Sequence, residues 1–255
     1  MQTLHHKILG DSGEYLVILH GLFGSLDNWQ TLGKQFSSNF RVVLVDQRNH
    51  GKSPHFNAHN YEAMAADLDY LLDELNINKC HLLGHSMGGK TVMQYAVNHP
   101  ERVLKLIVGD IGPRYYAPHH QLILKTLHSV DFNILKTRQE VEEKMFSIVN
   151  NPGIVQFLMK GIGRDDQNNL CWKFNLPTLS AQIENIGEEL KHTKPYPKEV
   201  LFLAGEKSDY ILPEDEVFIS KVFPNYQLQK VVNAGHWLHA ENPENFYNKV
   251  VTFLK

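Results

Sequence analysis

The pentapeptide Gly84-His85-Ser86-Met87-Gly88 limits the folds open to this chain more than any other segment. It follows the apolar run Cys80-His81-Leu82-Leu83 and precedes a segment, Lys90 to His99, that reads as a helix. A Gly-x-Ser-x-Gly between a strand and a helix describes a sharp elbow with the serine at its apex. Glycine is required on both sides because side chains there would collide with neighbouring backbone, and the serine is held in a strained conformation with its hydroxyl exposed. The helix N-terminus that follows offers unpaired N–H groups and a partial positive charge to a developing oxyanion.

Such an elbow needs a parallel sheet around it, and the chain supplies the strands. Tyr15-Leu16-Val17-Ile18-Leu19, Val42-Val43-Leu44-Val45, His81-Leu82-Leu83, Leu104 to Val108 and Val200-Leu201-Phe202-Leu203 are apolar runs of the kind covered on both faces. Leu228 to Val232 is a more polar last strand, and Thr3 to Leu9 reads as an edge strand. Amphipathic helices alternate with these runs, as in βαβ units. Asn60 is a candidate N-cap for a helix with Tyr61, Met64, Ala65, Leu68, Leu71, Leu72 and Leu75 on one stripe. A C-terminal helix, Pro243 to Leu254, carries Phe246, Val250 and Phe253.

The alternation stops after Asp110 and resumes at Val200. Residues 113–198 carry helical patterns at Gln121–Val130, Arg138–Val149, Ile154–Gly161 and Ser180–Leu190, without a strong strand signal. This length far exceeds the minimum of about a dozen residues for a crossover. The expected organisation is a core built from 1–112 and 199–255, with 113–198 as a helical cap over the sheet edge.

Composition narrows the functional classes. A net charge of -3 gives no electrostatic case for nucleic acid. No apolar run approaches the roughly 18–20 residues that span a bilayer. Met1 to Lys7 is followed by no apolar signal region, and the two cysteines, Cys80 and Cys171, are far apart. A cytoplasmic protein, monomer or homodimer, is expected. No Cys/His cluster has metal spacing, and neither a P-loop nor a strand-borne Gly-x-Gly-x-x-Gly occurs, so no metal or other cofactor is expected.

A serine hydroxyl is a weak nucleophile until a base meets it and a third group orients that base. Ligands of open α/β sheets gather at the carboxyl ends of strands. His236, just past the last strand, is therefore the candidate base, ahead of His239. Two aspartates end strands on the same edge, Asp110 and Asp209, and both fit the order serine, acid, histidine. The N–H of Met87 and that of Leu22, in the loop His20-Gly21-Leu22-Phe23-Gly24-Ser25, are the candidate oxyanion donors. Arg48 and Asp46 of Asp46-Gln47-Arg48-Asn49-His50-Gly51-Lys52-Ser53 read as braces between loops. His85 reads as support for the elbow. Tyr116, Phe157 and Trp172 are candidate pocket residues of the cap, and Lys160, Arg164 and Lys173 either meet an anionic group or form a solvated face.

Four segments in this order carry a resemblance: His20-Gly21, Asp46-x-Arg48-x-His50-Gly51-x-Ser53, Gly84-x-Ser86-x-Gly88-Gly89, and Gly235-His236 followed by Glu241 and Pro243. Over nearly its whole length the chain resembles the α/β-hydrolase superfamily. Asn49 stands where most members have glycine, and asparagine is among the residues that best tolerate positive φ. With Gly235-His236-Trp237-x-His239-Ala240-Glu241 and Trp172-Lys173-Phe174-Asn175, this is similar to the YbfF-type bacterial esterases and their mitochondrial abhydrolase relatives. The resemblance implies an α/β-hydrolase fold with a mainly parallel sheet. It also implies cofactor-free hydrolysis of a small-molecule carboxylic ester or acyl-CoA thioester. Many members carry the acid where this chain has Ser208, while YbfF-type esterases resemble it in an aspartate at the position of Asp110. The resemblance thus favours Asp110 over Asp209. Carbon–carbon bond hydrolysis, lyase or perhydrolase chemistry on the same scaffold, and a non-catalytic receptor, are the alternatives.

Overall fold

A computed structural model of the chain describes residues 2–118, 120–191 and 194–255. Among the described residues nine strands form in chain order: β1 (His6–Leu9), β2 (Tyr15–Leu19), β3 (Arg41–Val45), β4 (Cys80–His85), β5 (Val103–Gly109), β6 (Ile162–Arg164), β7 (Leu170–Trp172), β8 (Val200–Gly205) and β9 (Tyr226–Val231). Seven make one sheet in the order β1-β3-β2-β4-β5-β8-β9. Only β1 is antiparallel, lying against β3. The remaining pairs of this sheet are parallel.

Helices α1 (Gln30–Phe36), α2 (Tyr61–Glu74) and α3 (Met87–Asn98) join the first strands. Four more, α4 (Gln121–His128), α5 (Arg138–Val149), α6 (Pro152–Lys160) and α7 (Leu176–Ala181), lie between β5 and β8. The chain closes with α8 (Glu216–Val222), α9 (Leu238–Glu241) and α10 (Pro243–Leu254).

Strand alternation divides the interior. Val17, Leu19, Val43, Leu82, Val108 and Phe202 face a core shared with α2, α3 and α8. Leu16, Ile18, Leu44, Leu83, Ile107 and Leu201 face the opposite core, shared with α1 and α10. The amphipathic reading of α2 holds: Tyr61, Met64, Leu68, Leu71 and Leu72 are buried, and the Asn60 side chain accepts from Ala63 N–H at 2.9 Å.

Between β5 and β8 the chain builds a third apolar cluster. Leu127, Val141, Met145, Leu158 and Leu179 join Leu22, Phe23, Tyr61, Met64 and Met87 from the sheet side. His119, His192 and Thr193, within this stretch, lie outside the described residues. Two expectations are corrected here. The stretch is not purely helical, because β6 and β7 pair as a short antiparallel hairpin. Three residues per strand are too few for a period of two to emerge; the visible signal was the polar turn, in which Asp165 Oδ1 accepts from Gln167 and Asn169 N–H. The pattern at Ser180–Leu190 is not one helix either. α7 starts earlier, capped by the Asn175 side chain, and a 3-10 turn, Ile183–Gly187, follows it.

Candidate active site

The elbow forms where β4 meets α3. Ser86 has φ 52° and ψ -118°, a conformation tolerated only when its surroundings enforce it. They do so by close approach. A Cβ on Gly84 would sit 2.1 Å from the Gly88 carbonyl oxygen, and one on Gly88 would sit 2.5 Å from that of Leu19. Ser86 N–H donates to Gly109 O at 2.9 Å, fixing the apex to β5.

His236 lies in the loop between β9 and α9. Its Nε2 is 3.1 Å from Ser86 Oγ, and its Nδ1 is 2.8 Å from Asp110 Oδ2. With Nδ1–H given to the carboxylate, Nε2 presents its lone pair to the serine hydroxyl. Asp110 is fully buried at the end of β5, with φ 52°. Its N–H donates to Leu203 O at 2.7 Å and its Oδ1 accepts from Gly205 N–H at 2.9 Å. The Ser208 hydroxyl donates to Asp110 Oδ2 as well. Asp209, the other candidate acid, is exposed.

Three further side chains frame His236. Tyr210 stacks on its ring, with centroids 3.8 Å apart. His85 Nε2–H donates to the His236 carbonyl at 2.7 Å, so His85 braces the loop. His239 lies flat on Trp29 with centroids 4.3 Å apart. Burial holds His85 well below the usual histidine range and lowers His239 to about 3. Both rings are therefore neutral at physiological pH, and neither places a positive charge beside His236.

The loop after β2 is braced by the Asp46–Ser53 segment. Phe23 N–H donates to His50 Nε2 at 3.1 Å and Gln47 N–H to His20 Nε2 at 3.1 Å. Leu26 N–H donates to Asp46 Oδ1 at 2.7 Å. Arg48 is held by both oxygens of Asp67, at 2.6 and 2.8 Å. The bracing roles expected of Asp46 and Arg48 match these contacts. Among the described residues neither the Leu22 N–H nor the Met87 N–H donates a backbone hydrogen bond outside the helices and strands. Met87 opens α3, where the first N–H groups have no helical partner.

Among the described residues, Ser86 borders a larger and a smaller cavity. The larger, about 300 Å³, runs between the Gly21–Gly24 loop, the pair His236-Trp237, and Leu122, Ile123, Ile154 and Phe157. The smaller, about 20 Å³, is walled by Tyr61, Met87, Ile111, Tyr116, Ile183 and Ile186. Among the described residues no group of three or more His, Cys, Asp or Glu side chains is arranged to hold a metal ion, and no helix is long and apolar enough to cross a membrane.

A family model for the alpha/beta hydrolase fold matches residues 14–147 of the chain. The chain belongs to the α/β-hydrolase family. Its relatives include the "sn-1-specific diacylglycerol lipase ABHD11" of Mus musculus, 38% identical over 94% of this chain and 80% of that protein. "Esterase YbfF" of Escherichia coli is 35% identical over 94% of this chain and 92% of its own length. A solved "Marine microorganism esterase" superposes with a TM-score of 0.96 at 40% identity, covering 98% of this chain and 99% of that one. The resemblance to YbfF-type members is thereby supported.

Within this family member, the expected site residues do not all meet. Ser86, His236 and Asp110 are in contact, Phe157 walls the large cavity, and Tyr116 walls the small one. Trp172 borders neither. It stacks on Phe174 at 5.1 Å, meets Phe132 edge-on at 5.1 Å, and faces an outer cleft beside His5, Asp27 and Lys173. Its position at the end of β7 places it in that cleft and not in either cavity at Ser86, which the sequence pattern of the stretch does not reveal. Of the candidate cations, Lys173 pairs with Asp27 at 3.0 Å and Arg164 donates to Asn168 O.

Trp237 and Tyr210 were not expected as site residues. Trp237 packs on Phe157 with centroids 5.0 Å apart and walls the large cavity. Its place beside His236 was the available signal. Tyr210 had none, since its ring reaches His236 only through the fold of the loop after β8.

Proposed function

We propose that this chain is a serine esterase that hydrolyses small-molecule carboxylic esters or acyl-CoA thioesters of small-to-medium acyl groups. The observation that carries the reading is the contact chain Ser86 Oγ, His236 Nε2, His236 Nδ1 and Asp110 Oδ2, at 3.1 and 2.8 Å. Segment 113–198 serves in this reading as the cap, and substrate enters between it and the sheet edge.

Ser86 Oγ attacks the carbonyl carbon while its proton passes to His236 Nε2. Asp110 accepts from Nδ1–H, keeps the ring in the productive tautomer, and stabilises the imidazolium. The carbonyl oxygen becomes an oxyanion and accepts from the unpaired Leu22 and Met87 N–H groups. Each such donor contributes about 3 kcal/mol to the transition state. The tetrahedral intermediate collapses, Nε2–H delivers its proton to the leaving alcohol or thiol, and the acyl group stays on Ser86. Water then gives a proton to Nε2 and attacks the acyl carbon; as the bond to Oγ breaks, Nε2–H returns that proton to Ser86 Oγ, releasing the carboxylic acid and the free serine hydroxyl.

The test is a fluorophosphonate probe with a panel of p-nitrophenyl esters and acyl-CoAs, run on the wild type and Ser86→Ala. Labelling and turnover that both vanish in Ser86→Ala are expected. Folded wild-type protein that neither labels nor turns over any member of the panel would sink the reading.

A further inference from the structure

The two cavities at Ser86 differ in size and in which catalytic groups they reach. His236 and Leu22 wall the large cavity and not the small one, whereas Met87 walls the small one, so the oxyanion site lies between the two. The leaving atom must lie within reach of His236 Nε2, which delivers its proton. The oxyanion points to the Leu22 and Met87 N–H groups. With Oγ, the oxyanion and the leaving group placed, the fourth substituent of the tetrahedral carbon is directed to the small cavity. We propose that the small cavity is the acyl subsite and admits acyl groups of two to three carbons, while the large cavity takes a bulky apolar alcohol or thiol. The proposal rests on the esterase reading.

Size supports the assignment. About 20 Å³ is room for one to two groups of water or methyl size, the methyl or ethyl of a two- to three-carbon acyl group. The walls are also tied. Tyr61 Oη–H donates to Ile186 O at 2.7 Å. Tyr116 Oη accepts from Gly112 N–H at 2.7 Å and donates to Tyr210 O at 2.7 Å. Behind the Ile183–Gly187 turn, the buried Lys90 ammonium donates to Arg114 O at 2.8 Å, to Gly187 O at 3.3 Å and to Glu188 O. A longer acyl chain would have to part these bonds between buried groups, which costs more than the added apolar contact returns. The large cavity has the opposite character: Leu122, Ile123, Ile154, Phe157 and Trp237 form an apolar wall around about 300 Å³, enough for a ring system.

The experiment uses 2-naphthyl acetate, butyrate and hexanoate, which share one bulky leaving group. In the wild type kcat/KM is expected to fall about tenfold or more at each step. Ile186→Ala widens the small cavity and is expected to raise hexanoate relative to acetate by about tenfold or more. Ile183→Ala, at a half-buried position, repeats the test if Ile186→Ala folds poorly. Phe157→Ala is expected to leave the acyl profile unchanged. Wild-type enzyme as active on hexanoate as on acetate would overturn the assignment, as would a profile moved by Phe157→Ala and not by the isoleucine variants. If those rates still depend on Ser86, only the subsite assignment fails; if no ester is turned over and no probe labels Ser86, the esterase reading fails first.

Discussion

Tyr210 lies face to face on the imidazole of His236, with ring centroids 3.8 Å apart and planes 15° from parallel. An imidazole that must meet both Ser86 and Asp110 has little angular tolerance, and a flat aromatic face limits its rotation. Tyr210→Leu is expected to lower kcat by about tenfold with a smaller change in KM. Tyr210→Phe keeps the ring and is expected to stay close to the wild type. Steady-state kinetics of both variants check this; equal losses in the two would assign the effect to the hydroxyl.

The acid is tested by exchange of isosteres. Asp110→Asn removes the acceptor for His236 Nδ1–H and is expected to reduce kcat by about a thousand- to ten-thousand-fold. Asp209→Asn, at an exposed position, is expected to change it little. The reverse pattern would move the role to Asp209. Ser208→Ala removes one donor to Asp110 Oδ2, and a smaller loss than that of Asp110→Asn is expected.

Trp172 is assigned to packing. Half-buried against Phe132 and Phe174, it is expected to cost about 2 kcal/mol of stability on replacement by alanine. Urea unfolding measures that cost. Ester kinetics of the folded variant are expected to match the wild type, and a selective change in the acyl profile would return Trp172 to the pocket.

Lys90 has a pH signature. Burial, helped by the Arg114 guanidinium, lowers its ammonium from the ordinary 10.5 to about 7. Between those values the unfolded chain binds more protons at this site than the native one, so its contribution makes stability rise with pH, by at most about 1.4 kcal/mol per unit. Below about pH 7 both states are protonated and the slope disappears. Denaturation at several pH values from 7 to 10 is expected to show a shallower rise in Lys90→Met than in the wild type. Parallel curves would place the titration elsewhere.

Much of this site is written locally. Gly84 is forced by the Gly88 carbonyl four residues on, whereas Gly88 is forced across the sheet by the Leu19 carbonyl of β2; the strands that carry the motifs follow from period and spacing. Asn49, standing where glycine is usual, has φ 65°, and its peptide O accepts from Asn175 N–H at 2.9 Å. Two marks of the subgroup that are far apart in sequence are thus one contact, between the loop after β3 and the residues that open α7. The sequence alone could name Ser86, His236 and two aspartates at the right sheet edge. Position and order alone leave both aspartates open, because both follow strands and both precede the histidine, and only the resemblance favours Asp110. The choice depends on backbone direction: positive φ at Asp110 and its bond to Leu203 turn the carboxylate inward to His236, while the turn after β8 leaves Asp209 in water. For the same reason Tyr210 carries no signal in the sequence and Trp172 reads there as a pocket residue. Periodicity fixes which face of an element is apolar, but only packing across the sheet fixes which side chains of separate loops meet.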